Sequence, residues 1–236
     1  MRKRRRGKSL LEVLYPDAPE ELVRIAKTWV AGSSDVMLGS IWRAYDALLV
    51  STAIKAALTT AHDDVERGIT RLLYFELDNL LTGDEPFRLL AEAPEDEARK
   101  HPPARPPAYD IAFAMRVNPR IMWALEAKVL PTPATLADYV TTLKKRYLSG
   151  DYAPFVSEGA MVGYLLRGCS DEVFAAIAKQ LGTRLSKPNQ WKTRAHRISA
   201  HQRNIPPNKP YPKRFHCHHL ILEFASAIAD NTGTQA

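Results

Sequence analysis

Apolar positions recur along this chain with two different periods, and the change of period divides it. Up to about residue 81 the spacing is three or four, that of one face of a helix. Residues 18–30 place Leu22, Ile25, Ala26 and Val30 on such a face behind an acidic first turn, which predicts a helix ended by Gly32, Ser33 and Ser34. A second helix is expected over residues 36–58, with Met37, Ile41, Tyr45, Leu48 and Leu49 on its apolar face. A third is expected from Asp63, as N-cap, to about residue 81.

Residues 82–107 are polar, then acidic, then rich in proline, ending in ARKHPPARPP. Helix and strand interiors both reject that density of proline. The stretch reads as an excursion between a helical part and a sheet. The period then drops to two: residues 109–117 and 121–130 read as adjacent strands joined by a turn at Asn118 and Pro119. Pro131 and Pro133 close the second strand, a helix follows over residues 135–148, and Gly150 stops it. AMVGYLL, residues 160–166, reads as a third strand, flanked by Gly159 and carrying Gly163, glycines that allow close backbone packing. Ser170 and Asp171 open a helix to residue 181. Beyond residue 189, QWKTRAHRISAH fits a strand, IPPNKPYPK a loop, and HHLILEFASAIA either a strand or a helix. The expectation is an α/β protein, a sheet core flanked by helices with a helical N-terminal elaboration.

Length and composition place these elements in one domain. At 236 residues, 45% hydrophobic and 25% charged, the chain has an ordinary globular balance and can bury a sizeable core. The expected division is a flexible basic tail over residues 1–16, then one domain over 17–236. Its helical part reaches about residue 100, its sheet core about 108–183, and a basic part 184–236. No apolar run approaches the ~20 residues of a membrane span, no secretory apolar segment follows MRKRRRGK, and there are two cysteines without CxxC spacing. A cytoplasmic protein is the expectation.

The net charge of +7 is unevenly distributed. MRKRRRGK supplies +6, residues 9–100 carry nine Lys/Arg against seventeen Asp/Glu, and residues 184–214 carry nine Lys/Arg and no acid. An acid-free basic segment of that size is the usual footprint of phosphate contacts; the alternative is a solvated basic loop.

The stretch YDIAFAMRVNPRIMWALEAKVL concentrates the candidate chemistry. Strand parity puts Glu126 and Lys128 on one face, and a hairpin about Asn118 and Pro119 brings Asp110 close to their level. Two carboxylates from adjacent strands suit a hard divalent ion, Mg²⁺ or Mn²⁺. A lysine beside them can orient water and stabilise charge developing on phosphorus. The alternative is a Glu/Lys pair on a half-solvated strand, with Asp110 merely entering its own.

An Asp on one strand and Glu126-Ala127-Lys128 on the next resembles the PD-(D/E)xK, restriction-endonuclease-like nuclease superfamily. The family often has proline where this chain has Tyr109, and its usual first strand is not legible in the Pro-rich stretch. More narrowly, VERGITRLL, RYLSGDYAPFVSEGAMVGYLLRG, SAH and HHLILEF resemble small bacterial nucleases of antiviral defence, over roughly residues 66–224. The resemblance implies a Mg²⁺-dependent nuclease, DNA more than RNA as substrate, and a partner protein of a defence system. It implies that Asp110, Glu126 and Glu66 bind metal, that Lys128 activates water, and that Glu66 in VERGIT completes the site. The helical wheel leaves a rival open: Glu66 falls at the edge of the apolar stripe, and Glu76 near its centre.

Candidate nucleic-acid contacts are Lys144, Lys145 and Arg146 on the helix after the second strand, and Lys192, Arg194, Arg197 and Arg203 in the late basic segment, with Trp191 and Tyr211 beside them. His196, His201, His216, His218, His219 and Cys217 lack the ligand-pair spacing of a structural zinc site. His201 and His219 are expected near the site's mouth or in C-terminal packing. Ser199 and His201 lack the GxSxG context of a hydrolase. Two rival classes stand beside the nuclease: a catalytically silent nucleic-acid-binding or assembly subunit, and a helical protein that binds an acidic partner.

Overall fold

The structure, a computed structural model, describes residues 19–59, 62–98, 105–225 and 227–228, and the expected basic tail lies outside them. Helix α1, Pro19–Val50, is followed by the short α2, Thr52–Leu58, and by α3, His62–Leu80. The expected break at Gly32, Ser33 and Ser34 does not occur. Leu22, Ala26, Trp29, Met37, Ile41 and Leu48 are buried along one continuous face, and Ser33 is itself buried within it. Packing of that face overrides the weak local propensity of three residues. The chain turns instead at Ser51, whose hydroxyl accepts from Ala53 N and caps α2.

A six-stranded mixed sheet forms the centre. It comprises β1 Phe87–Pro94, β2 Ala108–Met115, β3 Met122–Leu130, β4 Glu158–Leu165, β5 His196–Gln202 and β6 Arg214–Glu223, in the order β1-β2-β3-β4-β6-β5. β3, β4 and β6 run parallel, and the other neighbours antiparallel. The sheet therefore extends past residues 108–183 on both sides. β1 lies inside the stretch expected to be an irregular excursion: its apolar residues Phe87, Leu89 and Ala93 face the core while the proline cluster begins only after it. The ambiguous HHLILEF is strand, buried against β4 and β5.

Between β3 and β4, Ala137–Thr142 forms α4, which continues as a wider π turn over Leu143–Tyr147. Ser170–Leu181 is α5. Alternation along the strands separates two faces. Thr70 of α3 bonds Tyr164, and Trp42 of α1 lies against His196, so α1 and α3 cover one face. Tyr139 of α4 bonds His219, and Arg197 stacks on Phe174 of α5, so these helices cover the other.

Neighbouring side chains seat closely against β4 because it presents glycines. A Cβ on Gly159 would lie 2.9 Å from the Tyr147 ring, and one on Gly163 would lie 2.6 Å from Leu130. The Tyr147 hydroxyl lies within hydrogen-bonding reach of Ala124 O and Ala160 O across the seam of β3 and β4. Tyr45 fixes α1 to the end of β6, donating to Glu223 O and accepting from Glu223 N. Among the described residues no helix is long and apolar enough to cross a membrane.

Candidate functional site

The hairpin of β2 and β3 forks. Pairing runs from Ala114–Met122 to Ile111–Leu125 and stops, after which β3 pairs with β4 alone. A strand whose neighbour departs exposes alternate amides that need acceptors. Here two carboxylates supply them. Asp110 Oδ2 accepts from Ala127 N at 2.8 Å, and Glu66 Oε2, from α3, accepts from Val129 N at 2.9 Å. The backbone of the fork thus draws both acids to the edge where Glu126 and Lys128 emerge.

Lys128 Nζ lies at the centre of the group. It is 3.0 Å from Glu66 Oε1, 3.2 Å from Glu126 Oε1, and donates to Ala127 O at 2.7 Å. Glu126 Oε2 is buried and has no hydrogen-bond partner. The Tyr152 hydroxyl lies near enough to favour the charged Glu126, but its hydrogen goes to Ala108 O.

The electrostatics follow from three acids facing one base. Burial, then repulsion from Asp110, pushes Glu126 up to about 7 against the pull of Lys128. Burial likewise raises Asp110, with Glu66 and Glu92 adding repulsion while Lys128 and the Ala127 amide oppose it. Burial alone would depress Lys128, but Glu126, Asp110 and Glu66 more than offset it and hold the ammonium above its ordinary range. The site carries surplus negative charge and one orphaned carboxylate oxygen. A small divalent cation fits both, with Asp110 and Glu126 as the available ligands. Glu66 is already engaged by Lys128 and Val129, and no three His, Cys, Asp or Glu side chains among the described residues form a ready cage.

Glu76, the rival of Glu66, lies ten residues further along α3, about 15 Å of helical rise. Sequence reasoning missed Glu92. It lies on β1, where the pairing of Ala91 with Ile111 and Ala93 with Tyr109 passes over Glu92 and Asp110. Its φ of +46° is unusual for a residue with a side chain. Alternation within LLAEAP was the available signal.

Two cavities open on the site. One, of about 710 Å³, runs between α3 and β1–β2 and reaches Glu66, Glu92 and Asp110. The other, of about 420 Å³, is lined by Glu66, Lys128, Thr135 and Asp138.

Most of the expected nucleic-acid contacts do not gather there; Arg146 comes nearest, over the ring of Tyr152, whose hydroxyl lies beside Glu126. Lys144, Lys145 and Arg146 are exposed on the π turn, with Lys144 donating to Gln180 O and Arg146 over the Tyr152 ring. Lys192 is exposed. Arg194 is held by Asp46 and stacked over Trp42, and Arg197 pairs with Asp171. Arg203 has only 6% of its surface exposed and donates to the carbonyls of Tyr152, Ala153 and Val156. It ties down a loop and has no free face for a phosphate. Trp191 is half-buried and Tyr211 buried. β5 is the far edge strand, three strands from β3 and so about 14 Å away.

Four histidines of β5 and β6, His196, His201, His218 and His219, lie in two side-chain networks, while His216 is exposed. His196 Nε2 and His218 Nδ1 lie 3.0 Å apart. Tyr139, His219, Ser199 and His201 are linked at 3.0, 2.7 and 2.6 Å. Burial, with its neighbouring histidines, pushes His219 down to about 3, so this network packs β5 and β6 under α4 as a neutral chain.

Comparison of the chain with protein-family models, curated proteins and solved structures returned no match in any of the three.

Proposed function

We propose that this protein is a metal-dependent nuclease with a restriction-endonuclease-like core, hydrolysing phosphodiester bonds in nucleic acid, DNA in preference to RNA. The supporting observation is the convergence at one strand fork of Asp110, Glu126 and Lys128, with Glu126 Oε2 unpartnered. Asp110 and Glu126 would hold Mg²⁺ or Mn²⁺, which when bound supplies a Lewis acid for the phosphoryl oxygen and lowers the pKa of water. Lys128, held charged by three acids, acts as an electrostatic anchor: it orients the attacking water and stabilises the charge gathering on the phosphate. In that state it has no lone pair to act as a base. Glu66 fixes Lys128 by Oε1 while its other oxygen is fixed by Val129 N. The resemblance to defence nucleases supports a role in antiviral defence with a partner protein.

Incubation of the purified chain with plasmid, linear DNA and RNA, in Mg²⁺, Mn²⁺ or EDTA, tests the proposal. Cleavage should require the divalent ion and be lost in Asp110→Ala and Lys128→Ala. Cleavage that survives EDTA or both substitutions would overturn it. One observation favours a second reading, a silent binding or assembly subunit: Lys128 already bridges Glu66 and Glu126, so the acids are partly neutralised without a metal. Binding without cleavage under every ion would select that reading.

A further inference from the structure

The larger cavity has a wall that the proposed chemistry does not use. Along α3, Arg67, Arg71 and Phe75 form one row at a spacing of four, and Glu66, Thr70 and Tyr74 form the row beside it. Both rows line the cavity, and Arg105 and Glu92 approach from the opposite wall. Arg67, Arg71 and Arg105 are exposed, and Arg67 meets Asp64 only at 3.7 Å across solvent. Phe75 is 45% exposed, a large apolar ring left in water, with Arg71 over its face at 5.4 Å and Tyr74 edge-on at 6.0 Å. Exposed aromatic faces interleaved with arginines are a platform for stacking bases between phosphate contacts.

The occupant must suit three features together. About 710 Å³ is the size of a pocket for one or two nucleotides, not for a double helix. A ring offered for stacking finds no free base face in a duplex, whose bases are stacked on one another. The cavity is cationic along its wall and anionic at Asp110, Glu66 and Glu92, so a polyanion enters from the arginine end.

We infer that α3, through Arg67, Arg71, Tyr74 and Phe75 with Arg105 opposite, binds a single-stranded segment of nucleic acid and leads its backbone to Asp110. This rests on the nuclease reading for what happens at the end of the groove. It replaces the late basic segment as the place where substrate is gripped, and assigns the protein an unpaired end, flap or loop rather than an intact duplex.

Fluorescence anisotropy on the full chain tests this, with labelled single-stranded DNA, single-stranded RNA and blunt duplex DNA, in EDTA and in Ca²⁺. Single strands should bind at least about 10-fold more tightly than duplex, and Ca²⁺ should tighten binding by screening the acidic end. Phe75→Ala should weaken single-strand binding about 5- to 100-fold. Arg67→Gln with Arg71→Gln should reduce the slope of log affinity against log salt by about 1.4. Lys144→Gln with Lys145→Gln should change neither. All these side chains are exposed or half-exposed, so thermal melting should stay unchanged. Equal affinity for duplex, or a Phe75→Ala protein that binds as wild type, overturns the groove. The two proposals fail separately: divalent-dependent cleavage with no effect of Phe75 removes the groove alone, whereas selective single-strand binding without cleavage removes the nuclease alone.

Discussion

Glu66 and Lys128, sixty-two residues apart in the chain, meet at 3.0 Å because Glu66 is anchored at its other oxygen by the amide of the residue after Lys128. The helix acid thereby fixes the lysine's position from outside the sheet. Among the described residues, Lys128 is the cation that pairs with both Glu66 and Glu126, and its side chain is only 18% exposed. Removing it leaves partly buried acids facing one another. Lys128→Ala should therefore lose stability, on the order of 1–3 kcal/mol without metal. Added Mg²⁺ should restore more melting temperature in the variant than in wild type. Melting curves with and without Mg²⁺ check this; a variant as stable as wild type and blind to Mg²⁺ would remove the surplus-charge account.

The position of Glu126 gives the site a pH dependence. Its carboxyl titrates near 7, raised by burial and by Asp110. A raised carboxyl contributes stability that is complete below its unfolded value, near 4.3, and is lost as pH rises through about 7. Divalent-ion binding runs the other way, since it needs the carboxylate. Mg²⁺ affinity should climb between pH 6 and 8, while Glu126→Gln should melt higher than wild type at pH 8 in EDTA and show no such climb. Thermal-shift titrations of Mg²⁺ at several pH values check both signs.

Strand parity and a turn dipeptide made Asp110, Glu126 and Lys128 legible, because a period of two fixes which side chains share a face whatever packs on them. Glu66 was legible only as one of two helix acids: the wheel ranks a side chain by its distance from the apolar stripe, and the fork that sets Glu66 against the Val129 amide is a tertiary feature. β1 and Glu92 were hidden by neighbouring prolines that lie beyond the strand. Charge counting led away from the groove. Arg203, within the acid-free segment, is buried against carbonyls, whereas Arg67 and Arg71 sit in a segment whose net charge is negative. Net charge along a chain does not record which cations remain free on the surface.

Glu95 and Tyr109 form a buried pair beside the site strand, and the same sign rule applies. Burial pushes Glu95 up to about 8, against hydrogen bonds from the Tyr109 hydroxyl and Glu97 N. The carboxyl is thus largely protonated in the folded chain at neutral pH. Its contribution to stability is present at acidic pH and disappears as pH rises past about 8. Glu95→Gln keeps an acceptor for Tyr109 without a titrating proton. It should melt close to wild type near pH 4 and progressively higher up to about pH 9, whereas a constant difference across that range would show that Glu95 does not titrate there.

Gly32 is an exposed mid-helix glycine around which nothing lies within 4 Å of an added Cβ. It sits in α1 between Val30 and Ser33, both buried, so the helix passes through it on the strength of its neighbours' packing. A glycine there costs about 0.5–1 kcal/mol relative to alanine, through backbone freedom in the unfolded chain. Gly32→Ala should recover that amount. For a chain of this length the gain corresponds to a rise in melting temperature of about 1–4 °C. The site's pH and metal responses should be untouched, because α1 contributes no side chain to it. A drop in melting temperature would mean that residues 32–34 are a genuine break, as their composition alone suggests, and that α1 is two helices in solution.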